Sequence, residues 1–321
     1  MIIEAGIRIA LTALLTVSAP LAQAQSSGAP VLPISELRPV PHGEIRAVWY
    51  DSKALGVQRR MHIYLPPGYD GSRAKYPVLY LIHGGGQDDA AWLTGGRANF
   101  ILDNLIAGNE ARPMIVVMPN GGAAGPGMNA PGNDNSAEAM AARVLSSNRT
   151  RDGFLDDLLT GIIPYVETHY RALANRDSRA VAGLSFGGAE SLRAGTAHLD
   201  KFAWIGVFSM GIQGGSRAGP GAIAGSGSAG SPADFVRDNA EFFADGQKTN
   251  HRLRLFWIGV GSEDTVVVNG PRQLADTLSA HGINHEYHET EGGHTMNNWQ
   301  AYLHEFAESL FRQQKLKGTQ P

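Results

Sequence analysis

The sequence predicts an α/β protein: a mostly parallel, eight-stranded sheet with helices on both faces. Three observations lead there. Residues 78–83 read V-L-Y-L-I-H, a short and almost wholly apolar run of the kind expected in a strand buried on both faces. From that run onward, apolar segments alternate with helix-compatible ones, which implies crossovers between parallel strands. No internal repeat suggests a solenoid or propeller.

The elements follow in order. After a proline-rich stretch at 26–41, strand-like runs at 44–50 and 59–65 flank Gly56 and read as an antiparallel pair. Pro66-Pro67-Gly68 breaks the chain before the buried strand at 78–83. Further strands are expected at 114–118, 180–182, 203–208, 253–259 and 285–288, and helices at 97–109, 154–170, 189–198, 234–245, 271–281 and 297–313. Sheets of this kind place ligands beyond the carboxyl ends of their strands, so chemistry belongs in the loops that follow strands. Two segments, 121–147 and 211–232, are rich in Gly, Ala, Ser and Asn. The second cannot bury enough apolar surface to offset ordering its backbone, and reads either as a flap over the site or as a disordered insertion.

Composition narrows the function. A net charge of -3 with no long run of Lys or Arg argues against a nucleic-acid partner or an anionic membrane surface, and leaves a small or neutral molecule as the expected partner. The absence of cysteine excludes disulfides, thiolate zinc sites and iron–sulfur clusters. His285, Glu286 and His288 fall on a strand, where residues three apart point to opposite faces, so they do not suggest zinc. Neither a P-loop nor a strand-following G-x-G-x-x-G is present; no cofactor and no metal are expected.

The amino-terminal residues have the form of an address label. Arg8 precedes an apolar stretch at 9–19, and Ala22-Gln23-Ala24 fits a cleavage site, which suggests a signal peptide at 1–24 and a secreted or periplasmic product. The apolar stretch is too short to span a bilayer, so no stable membrane insertion is expected after cleavage. A leader at 25–43 and one catalytic domain at 44–315, with the glycine-rich insertion near 211–232, complete the organisation. Asn148-Arg149-Thr150 matches a glycosylation acceptor, a tripeptide frequent by chance. The oligomeric state stays open.

The chemistry centres on Ser185. Residues 181–188 read V-A-G-L-S-F-G-G, a G-x-S-x-G motif between a strand and a helix candidate. Gly183 and Gly187 are expected to permit a turn that a Cβ would obstruct. A serine hydroxyl needs a general base, and the base needs an orienting carboxylate; in this architecture both follow the serine, each after its own strand. The acid belongs after 253–259, in V-G-S-E-D-T, where spacing alone leaves Glu263 and Asp264 open. The base belongs after the last strand, in T-E-G-G-H-T, and is His294. An oxyanion in the reaction needs backbone N–H donors: Phe186, after the nucleophile, and Gly85 within His83-Gly84-Gly85-Gly86, with Gly86 the alternative.

With those residues in place, the chain resembles the putative-esterase family of α/β-hydrolases, especially bacterial feruloyl esterase modules of carbohydrate esterase family 1. The resemblance runs from about residue 44 to 311. It is carried by Y-L-P-P-G-Y at 64–69, G-G-R-A-N at 95–99, A-G-P-G at 124–127, D-L-L-T-G-I-I-P-Y-V-E at 157–167, A-V-A-G-L-S-F-G-G-A-E-S-L at 180–192, L-D-K-F-A-W-I-G at 199–206 and E-G-G-H-T-M-N-N-W at 291–299.

The resemblance implies a serine esterase working through an acyl-enzyme, with Ser185, Asp264 and His294 as nucleophile, acid and base. It implies feruloyl, cinnamoyl or acetyl esters of plant polysaccharide as substrates; Trp92 and Trp299, with Phe186, read either as the border of an aromatic acyl pocket or as core packing. Relatives also include siderophore esterases and mycolyl transferases, so the fold does not define the acyl group. An acyltransferase on the same triad and a non-catalytic carbohydrate-binding protein are the alternative readings. The stretch at 211–232 departs from the family pattern.

Overall fold

Every strand of the sheet, taken in spatial order, can be traced to the apolar runs above. The computed structural model describes residues 32–121, 153–212 and 231–312. The expected signal segment at 1–24, the A-G-P-G motif, Asn148-Arg149-Thr150 and most of the two glycine-rich segments lie outside them. The eight strands are β1 (Glu44–Ser52), β2 (Val57–Leu65), β3 (Val78–Ile82), β4 (Ile115–Pro119), β5 (Arg179–Leu184), β6 (Trp204–Phe208), β7 (Leu255–Gly261) and β8 (Glu286–Thr290). They lie in the order β1-β2-β4-β3-β5-β6-β7-β8. The β1–β2 and β2–β4 pairs are antiparallel and all later pairs parallel.

Burial follows position in the sheet. Strands β3 to β7 are buried at every residue, because helices cover both their faces, whereas the edge strand β1 alternates and β8 is half-exposed. On β3, Leu79 and Leu81 join one core while Val78, Tyr80 and Ile82 join the opposite one, as the two-residue period requires.

The helices are α1 (Ala91–Thr94), α2 (Ala98–Ala107), α3 (Ile163–His169), α4 (Phe186–Ala197), α5 (Pro232–Asp238), α6 (Ala240–Phe243), α7 (Gly246–Arg252), α8 (Gly270–Ala280) and α9 (Met296–Ser309). Helices α2 and α9 pack on one face of the sheet and α3 on the other. A π-helical turn, Leu158–Ile162, leads into α3, just where Pro164 removes a backbone donor.

Several boundaries differ from expectation. The helix placed at 189–198 begins at Phe186, because packing against β3 outweighs the low helix propensity of Gly187 and Gly188. The helix placed at 234–245 is split at Asn239, whose side chain accepts from Thr196 Oγ1 at 2.7 Å and donates to the Phe235 carbonyl. Short helices α1 and α7 were not anticipated; the latter is capped by Asp245. Residues 33–36, counted in the leader, pack against α2 and α9 through Ser35 to Gln300 (2.9 Å), Arg97 to the Ser35 carbonyl (2.7 Å) and Asn104 to the carbonyls of Ile34 and Glu36.

Candidate active site

The loops after β5, β6, β7 and β8 meet at the carboxyl edge of the sheet. Ser185 sits between β5 and α4 with φ 52° and ψ -116°, a conformation an L-residue holds only under constraint. The constraint is steric and comes from both sides. A Cβ at Gly183 would lie 2.5 Å from the Gly187 carbonyl oxygen, and one at Gly187 would strike the carbonyl oxygens of Ile82 and His83. The Ser185 N–H donates to the Phe208 carbonyl at 2.8 Å, tying the turn to β6.

His294 Nε2 lies 2.9 Å from Ser185 Oγ, and its Nδ1 lies 2.8 Å from Asp264 Oδ2. An ionised carboxylate only accepts, so Nδ1 carries the proton and Nε2 presents its lone pair to the serine hydroxyl. Asp264 Oδ1 accepts from the backbone N–H groups of Val266 and Val267. Burial pushes the Asp264 carboxyl up, but hydrogen bonding and charge from His294, with hydrogen bonds from Ser209 and Val266, outweigh it and hold its pKa below the ordinary carboxylate value. Of the two carboxylates that spacing left open, Asp264 is the one that meets His294; Glu263 is exposed and touches the His294 loop through its backbone, N–H to the Gly292 carbonyl.

Two groups that sequence reasoning passed over support this arrangement. Ser209, at the end of β6, is fully buried at φ 49°. Its oxygen accepts from Trp299 Nε1 at 3.0 Å, and its hydroxyl is among the groups that lower the Asp264 carboxyl. Asn298 donates to the Glu291 carbonyl at 2.7 Å and to Thr290 Oγ1, clamping the loop that carries His294. Its presence in the N-N-W run next to the base was the available signal; nothing in the sequence around Ser209 offered one.

The oxyanion candidates flank the serine. Phe186 is the first residue of α4, so its N–H points out of the helix start. Gly85 is exposed, and a Cβ on it would lie 3.7 Å from that of Phe186. The Gly84 N–H is taken by Gln87 Oε1, and Gly86 supplies the turn at φ 75°. His83 braces the loop: Nδ1–H donates to the Gly84 carbonyl and Nε2 accepts from the Gly121 N–H. Burial lowers its pKa, which suits a neutral ring with one donor and one acceptor.

Of the two readings of the aromatic residues, the structure places Trp92 in the core. Trp92 is 1% exposed, donates to the Ile82 carbonyl at 3.0 Å and meets Phe208 edge to face in the core. Trp299 does adjoin the base, its ring perpendicular to that of His294 at 4.9 Å, but it too is buried and its polar edge is committed to Ser209. Phe186 is likewise buried.

Among the described residues, no helix is long and apolar enough to cross a membrane. The family described as "Putative esterase" matches residues 52–309. The chain is 26% identical over 278 residues to an endo-1,4-beta-xylanase/feruloyl esterase of Xylanibacter ruminicola, covering 85% of this chain and 32% of that protein. It is 28% identical over 282 residues to an esterase of Mycobacterium tuberculosis, covering 77% and 55%. The chain thus spans about a third to a half of those relatives' lengths. Among solved structures, a CE1 ferulic acid esterase from Anaeromyces mucronatus in complex with ferulic acid is 26% identical with a TM-score of 0.66, covering 86% of this chain and 93% of that one. The S-formylglutathione hydrolase of Staphylococcus aureus, 18% identical with a TM-score of 0.57 over 86% of this chain and 100% of that one, is alike in fold. The elbow, the strand order and the matched span agree: this chain has the α/β-hydrolase fold and belongs to the "Putative esterase" family.

Proposed function

We propose that the chain is a serine esterase that hydrolyses carboxylic esters through an acyl-enzyme. The hydrogen-bonded line from Ser185 through His294 to Asp264 carries this reading. Ser185 Oγ attacks the ester carbonyl carbon as its proton passes to His294 Nε2. Asp264, ionised because its pKa is depressed, stabilises the imidazolium through Nδ1–H. The N–H groups of Phe186 and Gly85 receive the oxyanion. His294 then protonates the leaving alcohol oxygen, and water, deprotonated by the same ring, releases the carboxylic acid and restores Ser185.

Feruloyl or cinnamoyl esters of plant polysaccharide, or their acetyl counterparts, are the proposed substrates. Support comes from relatives named feruloyl esterase and from the ferulic acid complex of a structural neighbour. Export fits such a substrate, and the pattern at Arg8 to Ala24 is the sequence basis for it.

A hydrolysis panel of methyl ferulate, acetylated xylan and short p-nitrophenyl esters tests the reading, with Ser185→Ala as control. The wild type is expected to release ferulate, and the variant to lose activity by about 10⁶-fold. Near-normal turnover in Ser185→Ala ends the serine mechanism. Turnover of acetyl esters with none of methyl ferulate moves the substrate to the acetyl class.

A further inference from the structure

A second constellation lies at the far end of α9, away from the serine. The segment α2 closes with Asn109 at φ 58°, the Asn109 N–H bonding the Ile106 carbonyl and the Glu110 N–H bonding that of Leu105. This is a left-handed helix stop with asparagine in the glycine position, and it turns the chain so that Glu110 faces α9. On α9, His304 and Glu308 are one turn apart and share a face. Ligand atoms of Glu110, His304 and Glu308 all lie within 4.8 Å of one another. His304 Nδ1 and Glu308 Oε2 are 3.7 Å apart, too long for a hydrogen bond. Three ligands on one tetrahedral zinc ion stand about 3.4 Å apart, so small side-chain rotations close the set.

An independent observation lies beside them. Glu110, His304 and Asn104 line a pocket of about 230 Å³. Asn104 is 9% exposed, and its Nδ2 donates to two carbonyls, those of Ile34 and Glu36. Two carbonyl partners settle which end of the amide is nitrogen, and leave Oδ1 buried with no partner. A buried acceptor without a donor is costly and calls for an occupant that supplies a hydrogen. Apart from Arg38, whose guanidinium donates to the Pro33 carbonyl, the uncommitted groups here are lone-pair donors: two carboxylates, one imidazole and one amide oxygen. A hydrated cation complements that set.

We propose that Glu110, His304 and Glu308 bind one divalent cation of zinc type, with Asn104 Oδ1 accepting from a metal-bound water. This revises the expectation of a metal-free chain. The ligands choose the metal. One imidazole with two carboxylates suits zinc, while calcium takes six to eight oxygens. Arg38 lines the pocket with its guanidinium on the Pro33 carbonyl, and Arg312 donates to the Asn109 and Glu110 carbonyls. Two nearby positive charges select against a weakly held, purely electrostatic ion. The ion ties the end of α2 to the last turns of α9, the helix whose first turn holds Asn298 and Trp299 beside the base.

Untagged, chelator-treated protein titrated calorimetrically with zinc chloride tests this, with melting followed in parallel. One zinc per chain is expected, with a rise in melting temperature, and no saturable binding of calcium or magnesium. Glu110→Gln, at an exposed position where folding is not at risk, and His304→Ala are each expected to weaken zinc by at least about tenfold, and Glu305→Gln to leave it unchanged. Absence of saturable zinc binding, or equal affinity in the wild type and Glu110→Gln, overturns the site, the second by assigning the zinc to other histidines. Neither result bears on ester hydrolysis, since no residue of this cluster contacts Ser185.

Discussion

Ser185, the proposed nucleophile, and its proposed partners are held in place by different means. Ser185 is positioned by backbone: Gly183 and Gly187 interlock with the carbonyls of Ile82 and His83, and no side chain is needed to set the turn. His294 and Asp264 are positioned largely by side chains from other elements: Asn298 and Trp299, in the first turn of α9, hold the His294 loop and flank the imidazole, and Ser209, after β6, anchors Trp299, while the Val266 and Val267 N–H groups hold the carboxylate. Backbone interlocking is local and rigid. Side-chain clamping is distant in sequence and can be removed one bond at a time.

The largest break in that comparison is Asp264→Asn, which keeps the shape but favours the wrong imidazole tautomer. Turnover is expected to fall about 10⁴-fold. The exposed neighbour gives the contrast: Glu263→Gln should stay within about twofold in steady-state kinetics. Comparable losses in the two variants would mean the acid has been misassigned.

Gly187→Ala attacks the backbone side. Its new Cβ meets two carbonyls fastened in the sheet, so a loss of about 3 kcal/mol is expected, read as a fall of about 6–12 °C in melting temperature together with lost activity. A stable, active variant would show that the elbow can relax.

Trp299 sharpens the side-chain half. Trp299→Ala should lower kcat by about 10²-fold with little change in KM, because the ring acts by aligning His294. Trp299→Phe keeps the ring and loses one N–H donor, about a fivefold effect. A rise in KM with kcat preserved would return Trp299 to the acyl pocket.

The smallest expected effect is that of Ser209→Ala. Losing the hydroxyl lets the Asp264 pKa rise toward its ordinary value of about 3.9. A depressed folded pKa contributes stability that is fully present above the unfolded value and lost as pH falls through the folded one. The variant should therefore be less stable than wild type by about 1 kcal/mol near neutral pH, and the gap should narrow in strong acid to the pH-independent part left by the lost Trp299 hydrogen bond. A gap independent of pH would dissociate Ser209 from the carboxylate.

Local patterns in the sequence determined a good deal: the apolar runs of β3 to β7, the glycine spacing around Ser185, and the position of His294 after the last strand. These are legible because a strand buried on both faces must be continuously apolar and a tight elbow must lack Cβ atoms, whatever surrounds them. The tertiary structure brought Asp264, the residue the family resemblance implied, rather than Glu263 to His294, and it alone placed Trp92 in the core, split the helix at Asn239 and set Ser209 against Trp299. Each of those outcomes depends on which group a residue meets outside its own element, and a single hydrogen-bond partner 10 to 90 positions away leaves no periodic trace in the chain.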